Sequence, residues 1–253
     1  MLLLIDVGNT LIKWGIPAEQ VFSVAAAGRW RHVGAVARGE VAALAPAWQG
    51  LPVVRALVSN VAGPAVREAL QAALHAAFGD GLRIDWFASQ QQLAGVHNRY
   101  KNPGQLGCDR FASAIGAHAL FPRRALIVAT CGTATTVDAV SPDGDFLGGM
   151  ILPGLGVMAT SLALNTAQLP QIQSISAVAT PFADNTTDAI IAGCIAAQTG
   201  AIERAVATHG QAHEDVLCVL AGGAGPVLAP YLSTPCEKVD NLVLIGLHVA
   251  AAE

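Results

Sequence analysis

Residues 2–5 are four consecutive apolar positions that run straight into Asp6, Gly8, Asn9 and Thr10, and a second largely apolar stretch covers residues 11–16. A short unbroken apolar run reads as a buried strand, and the run after the tight turn reads as its partner. Residues 31–45 place Val33, Val36, Ala37, Val41 and Leu44 near helical spacing, which predicts a helix. Residues 54–62 predict a strand. A helix should begin at Pro64, where proline is well tolerated, and its alanine and leucine content supports it. Residues 82–88 read as a strand and 111–121 as a helix.

The pattern then restarts. Residues 125–140 are an apolar strand, a turn rich in glycine and threonine, and a second strand. A small-residue helix follows over about 156–165, then a long helical stretch over 186–210, a strand ending in the glycines of 221–225, and an apolar closing segment. Alternating strands and helices predict an α/β class. The restart predicts two similar halves, residues 1–117 and 118–253.

Composition narrows the function. The 253 residues are 53% hydrophobic and only 13% charged, enough for a large core and for apolar surface hidden in an oligomer. The net charge is −4, with three lysines and no basic stripe, so a nucleic-acid partner is not expected. The five cysteines show no C-x-x-C spacing, which favours free thiols in a reducing compartment. His209 and His213 are four apart but have no third ligand nearby, so a solvated helix end is expected there. The N-terminal apolar run is broken by Asp6, and the other apolar runs fall short of a membrane span. A cytoplasmic protein without a membrane partner is the expectation.

The two strand–turn–strand units are the candidates for chemistry. Gly/Thr-rich turns offer N–H groups and hydroxyls to phosphate oxygens; each alone is a weak signal that reads more readily as a plain turn, and it is the pair, one in each half, that points to a nucleotide. Asp6 can hold magnesium, directly or through water, and Lys13 can add positive charge nearby. Residues 132–138 supply Thr133, Thr135 and Thr136 from the second half. A third glycine turn at 221–225 would allow an adenine or ribose close approach, or is a plain strand-to-helix turn. A P-loop is excluded because no lysine follows a glycine, and G-x-G-x-x-A at 154–159 lacks an acid at the spacing of a dinucleotide site. Residues 100–110 gather Tyr100, Lys101, Asn102, a Pro-Gly turn, Asp109 and Arg110 before a small-residue helix. Asp109 reads either as a helix N-cap or as a proton acceptor for an attacking hydroxyl. Arg110 can neutralise a carboxylate or a moving phosphoryl group.

These motifs resemble type III pantothenate kinase. The match comprises Asp6 to Thr10 with Lys13, Gly107-x-Asp109-Arg110 after an Asn-Pro turn, Gly132-Thr133-Ala134, Gly148-Gly149-x-Ile-x-Pro-Gly154, and Asn185-Thr186. The resemblance implies the acetate kinase, sugar kinase, Hsp70 and actin superfamily, with two ribonuclease-H-like halves and nucleotide in the cleft between them. It implies ATP-dependent phosphorylation of pantothenate to 4'-phosphopantothenate, the first step of coenzyme A synthesis. Asp6, Val7, Gly8, Asn9, Thr10, Lys13 and Thr133 would contact ATP. Tyr100, Gly107, Cys108, Asp109, Arg110 and Thr186 would contact pantothenate, with Asp109 as the base. It also implies a homodimer, magnesium, and a monovalent cation, K+ or NH4+. One position departs from the family pattern. Thr130 stands where an aspartate two residues before the glycine usually helps bind that cation, and a neutral hydroxyl is a much poorer ligand. Two rival readings are a kinase of the same superfamily with another small substrate, and a non-catalytic regulator that kept the fold.

Overall fold

A computed structural model describes residues 1–175, 178 and 180–253. The chain divides into two units, and the strand order of the first is repeated in the second. Unit 1 comprises residues 1–122, 144–146 and 241–253. Its strands β1 (Leu2–Val7) and β2 (Leu11–Pro17) form an antiparallel hairpin closed by a Gly8 N–H bond to the Leu11 carbonyl at 3.0 Å. With β3 (Trp30–Ala37), β4 (Arg55–Asn60) and β5 (Arg83–Phe87) they give the sheet order β3-β2-β1-β4-β5. β2 is antiparallel to β1 and β3, whereas β4 runs parallel to β1 and β5 parallel to β4. Leu3, Ile5, Val7, Ile12 and Ile16 point to one face, where Leu44 and Trp48 of α1 (Leu44–Trp48) and Leu70 and Leu74 of α2 (Pro64–Phe78) complete a core. Alternation sends Leu4 and Asp6 to the other face. The short strands β6 (Gln92–Leu93) and β7 (Val96–Asn98) lead to α3 (Cys108–Leu120).

The helix predicted over residues 31–45 is not there. β3 occupies its first half, a 3-10 turn spans Arg38–Ala43, and only α1 is helical. The apolar spacing fits both periods, and cross-strand packing decides. The ideal Cβ position of Gly34 lies 2.8 Å from the Trp14 ring, and Trp30 lies as close to Gly15 on β2. Two bare glycines thus seat two indoles on neighbouring strands, an arrangement only pairing provides.

Unit 2 comprises residues 123–143 and 147–240. β8 (Leu126–Cys131) and β9 (Ala134–Val140) form the second antiparallel hairpin, and β10 (Asp145–Pro153) follows. β11 (Leu217–Ala221) pairs parallel with β8, and β12 (Cys236–Lys238) parallel with β11. The order β10-β9-β8-β11-β12 reproduces that of unit 1 strand for strand. Its helices are α4 (Leu155–Asn165), α5 (Thr186–His209) and the short α6 (Gly225–Leu228). By length and composition alone α5 could cross a membrane. Ile190, Ile191, Cys194, Ile195 and Ile202 instead pack into the core of unit 2. His209, expected on a solvated helix end, is buried. Its ring nitrogen lies 3.1 Å from the Val140 carbonyl, its ring meets that of His213 edge-on, and burial lowers its pKa. The five cysteines are free, and burial pushes the Cys131 and Cys218 thiols up to about 12.

The last helix, α7 (Leu242–Ala250), belongs to unit 1, although the sequence pattern groups residues 241–253 with the second half. It crosses α3 with the Gly116 and Gly246 backbones in near contact.

Candidate active site

Register sets the first part of the site. Ala35, Lys13, Asp6, Ser59 and Phe87 are successive partners across β3, β2, β1, β4 and β5, so they form one row on the face opposite the α1/α2 core. α3 rests on this row. The Phe111 ring stacks on Phe87 at 6.1 Å, and the Cys108 Sγ lies 3.3 Å from the Ser59 Oγ and 3.6 Å from the Asn60 carbonyl. The first turn of α3 thereby brings Asp109 within electrostatic reach of Asp6. Gly107, not Asp109, is the N-cap residue, and Asp109 sits inside the first turn with its Oδ1 accepting the Arg110 N–H at 2.8 Å.

The electrostatics follow from this packing. Burial raises the Asp6 carboxyl to about 7, the Asp109 charge pushes the same way, and Lys13 opposes both. Burial also raises Asp109, partly offset by the Arg110 N–H and guanidinium. A carboxylate raised this way is a stronger base than an ordinary one. Asp6 also couples to stability. Its folded pKa lies above the unfolded value of 3.8, so its contribution is full below pH 3.8 and is lost as pH rises through about 7. The ligand-free chain is therefore expected to lose stability over that range, and Asp6→Asn should flatten the loss. Urea unfolding at stepped pH checks this; parallel curves for the two chains would refute it.

The second part is the Tyr100–Arg110 block. The Arg110 Nη1 donates to the Tyr100 hydroxyl at 3.0 Å, and its guanidinium lies 5.8 and 5.7 Å from the ring centroids of Tyr100 and Phe146. Asn102 caps the Pro-Gly turn through its Oδ1, which accepts the Gly104 N–H at 3.2 Å. Lys101 is exposed beside it.

Not every residue of the first turn faces outward. Val7 is fully buried in the unit 1 core, and its carbonyl accepts the Val61 N–H, so it serves packing. Asn9 and Thr10 are exposed, and the Thr10 carbonyl accepts the Arg38 N–H at 2.8 Å.

Unit 2 holds the remaining candidates. Gly132 and Thr133 form the turn between β8 and β9, and the Thr133 carbonyl accepts the Gly154 N–H at 2.9 Å. A Cβ on Gly154 would fall 2.0 Å from the Gly132 carbonyl oxygen, so only glycine allows the Pro-Gly segment to brace this turn. Thr130 and Thr136 are cross-strand partners whose buried hydroxyls have no hydrogen-bond partner. The third glycine turn is tied to this hairpin by the Ala224 N–H, which donates to the Cys131 carbonyl at 3.0 Å. Thr186 opens α5, capped by Asn185, and lines a pocket of about 610 Å³ with Pro153, Val157, Leu162, Leu169 and Cys194. The structure thus groups Asp6, Lys13, Tyr100, Gly107, Cys108, Asp109 and Arg110 in unit 1, and Thr130, Thr133 and Thr186 in unit 2. Ser59 and Phe146 carry no chemical motif; strand register shows Ser59 beside Asp6, and only the folded packing sets the Phe146 ring against the guanidinium.

The family model for type III pantothenate kinase matches residues 2–208. The type III pantothenate kinase of Herminiimonas arsenicoxydans is 55% identical over 253 residues, covering 99% of this chain and 97% of that one. That of Janthinobacterium sp. (strain Marseille) is 55% identical over 256 residues, covering 100% and 98%. Among solved structures, a conserved protein assigned to the Baf transcriptional-activator family from Campylobacter jejuni superposes with a TM-score of 0.62 at 18% identity, over 97% of this chain and 94% of that one. A glucokinase from an Antarctic psychrotroph gives 0.53 at 12% identity, over 100% and 99%. At such identities the structural likeness speaks for the fold alone.

Proposed function

The chain belongs to the type III pantothenate kinase family, and from that premise we propose that Asp6, Lys13, Asp109 and Arg110 carry the ATP-dependent phosphorylation of pantothenate to 4'-phosphopantothenate. The observation that carries the reading is the row of Lys13 and Asp6 with Asp109 set over it. Asp109 takes the proton of the primary hydroxyl as the oxygen attacks the γ-phosphorus and the bond to ADP breaks. Lys13, the backbone N–H groups of Asn9 and Thr10, and Thr133 hold phosphates, while the Gly8 N–H keeps the turn closed on the Leu11 carbonyl. Arg110, paired with Tyr100, takes the pantothenate carboxylate, and Gly107, Cys108 and Thr186 complete the substrate contacts.

A divalent cation suits the acids present. Burial is the main reason the Asp6 carboxyl is raised and the nearby Asp109 charge adds to it, so a cation bound between them would favour the ionised form. No group of three His, Cys, Asp or Glu that could hold a metal exists among the described residues. One carboxylate with phosphate and water for the rest is the habit of magnesium. Its contribution would be to neutralise charge on the phosphates. Thr130 is a different case. Its neutral, buried hydroxyl beside that of Thr136 lacks the charge that would hold K+ or NH4+ tightly.

The dimer reading rests on surface. Ile151 and Leu164 are 66% and 79% exposed, Met150 is exposed beside Ile151 in the chain, and the exposed Val157 and Leu162 line the apolar pocket. Such a patch suits a second copy. A cytoplasmic location is proposed on the same family grounds.

One assay tests these readings together: ADP release by the purified chain with and without pantothenate, in K+ and in Na+ buffers, with mass from light scattering. Release should require pantothenate, proceed at similar rates in the two salts, and come from a two-copy particle. Turnover independent of pantothenate would favour another substrate, and none at all the non-catalytic reading. A large K+ requirement would refute the view of Thr130, and a monomer mass that of the dimer.

A further inference from the structure

Asn98, at the end of β7, is only 4% exposed, and a buried amide is costly unless its polar atoms are bonded. Its Oδ1 accepts the Tyr100 N–H at 3.1 Å, and its Nδ2 donates to the Pro103 carbonyl at 3.0 Å. One side chain therefore ties both ends of residues 100–103. Asn98 is itself fixed from both sides. Its N–H donates to the Gln91 carbonyl at 2.9 Å, and it is the register partner of Phe146 on β10, whose carbonyl accepts the Arg99 N–H at 3.1 Å. Arg99 adds an ion pair to Asp145 at 2.7 Å.

The held segment bears directly on the guanidinium. The Tyr100 ring meets Phe146 edge-on at 5.8 Å, and its hydroxyl accepts from Arg110. A shift at residue 100 would move that hydroxyl, and Arg110 would lose one of its fixed points. We propose that Asn98 is a positioning residue of the pantothenate kinase reaction. Through Tyr100 it aims Arg110 at the substrate carboxylate, without touching substrate itself. The proposal rests on the pantothenate reading above. The chain of contacts runs Asn98 to Tyr100 to Arg110, and none of it passes through Asp6, Lys13 or Asp109. The defect in a variant should therefore fall on pantothenate and spare ATP.

The test is steady-state kinetics of Asn98→Ala with each substrate varied in turn. The KM for pantothenate should rise about tenfold or more while the KM for ATP stays within about twofold. Asn98→Asp keeps the acceptor for the Tyr100 N–H but sets a carboxylate oxygen against the Pro103 carbonyl, so a rise in the same direction is expected; this variant carries the test if Asn98→Ala does not fold. Placed on a Tyr100→Ala background, Asn98→Ala should add little to the pantothenate KM, because the two act in series. Equal changes in both KM values, a fall in kcat alone, or full additivity on that background would overturn the proposal. A wild-type chain that releases no ADP with pantothenate would remove the kinase reading itself, an outcome separate from any of these.

Discussion

Asp109→Asn is expected to lower kcat by about a thousandfold while ATP still binds. The amide fills the same volume and keeps the oxygen that accepts the Arg110 N–H, so the first turn of α3 should be undisturbed. What it cannot do is take a proton. Nucleotide affinity should hold or improve, because the Asp109 charge that disfavours ionised Asp6 is gone. Rapid-quench turnover with nucleotide titration by calorimetry separates the two effects. A variant within tenfold of wild type would remove Asp109 from the role of base.

Strand register puts Lys13, Asp6 and Ser59 in one row under Asp109, and the sequence shows that register only in part. The run at residues 2–5, the turn and the run at 11–16 are legible because a two-strand hairpin is local. The repeat of that unit at 125–140 is legible for the same reason, and it announces the matched order of the two sheets. Ser59 is not legible, since it reaches Asp6 through a parallel pairing between strands separated by some fifty residues of chain. Residues 31–45 mislead because valines spaced for a helix also fit an edge strand, and the Trp14–Gly34 packing that decides is non-local. Asp109 is legible as a helix-start residue, but its position inside the turn rather than at the cap depends on how Cys108 meets Ser59. The two-unit division is misjudged at the C-terminus for a similar reason. An apolar helix announces burial, not the partner it is buried against, and α7 finds its partner in α3.

That partnership sets the largest expected effect on stability, from Gly246→Ala. A Cβ built on Gly246 would sit 1.8 Å from the Ala112 carbonyl oxygen and 2.5 Å from its carbon, both backbone atoms of α3. Backbone cannot rotate aside as a side chain can, so the two helices must move apart. Across the crossing, the Cβ position of Gly116 is only 2.9 Å from the Gly246 nitrogen, which leaves no slack for a compensating slide. Overpacking of this kind should cost about 3 kcal/mol or more, lowering Tm by about 6 °C or more. Gly156→Ala on α4, whose Cβ would meet nothing within 4 Å, is the matched control and should be neutral or stabilising. Because α3 carries Asp109 and Arg110, the same displacement should also reduce kcat at temperatures where Gly246→Ala remains folded. Thermal melts of the three chains, with turnover measured well below each Tm, check both halves. A Gly246→Ala chain that melts with wild type would show that α3 does not rest on α7 at this distance, and with it would go the rigid support on which Asp109 meets Asp6.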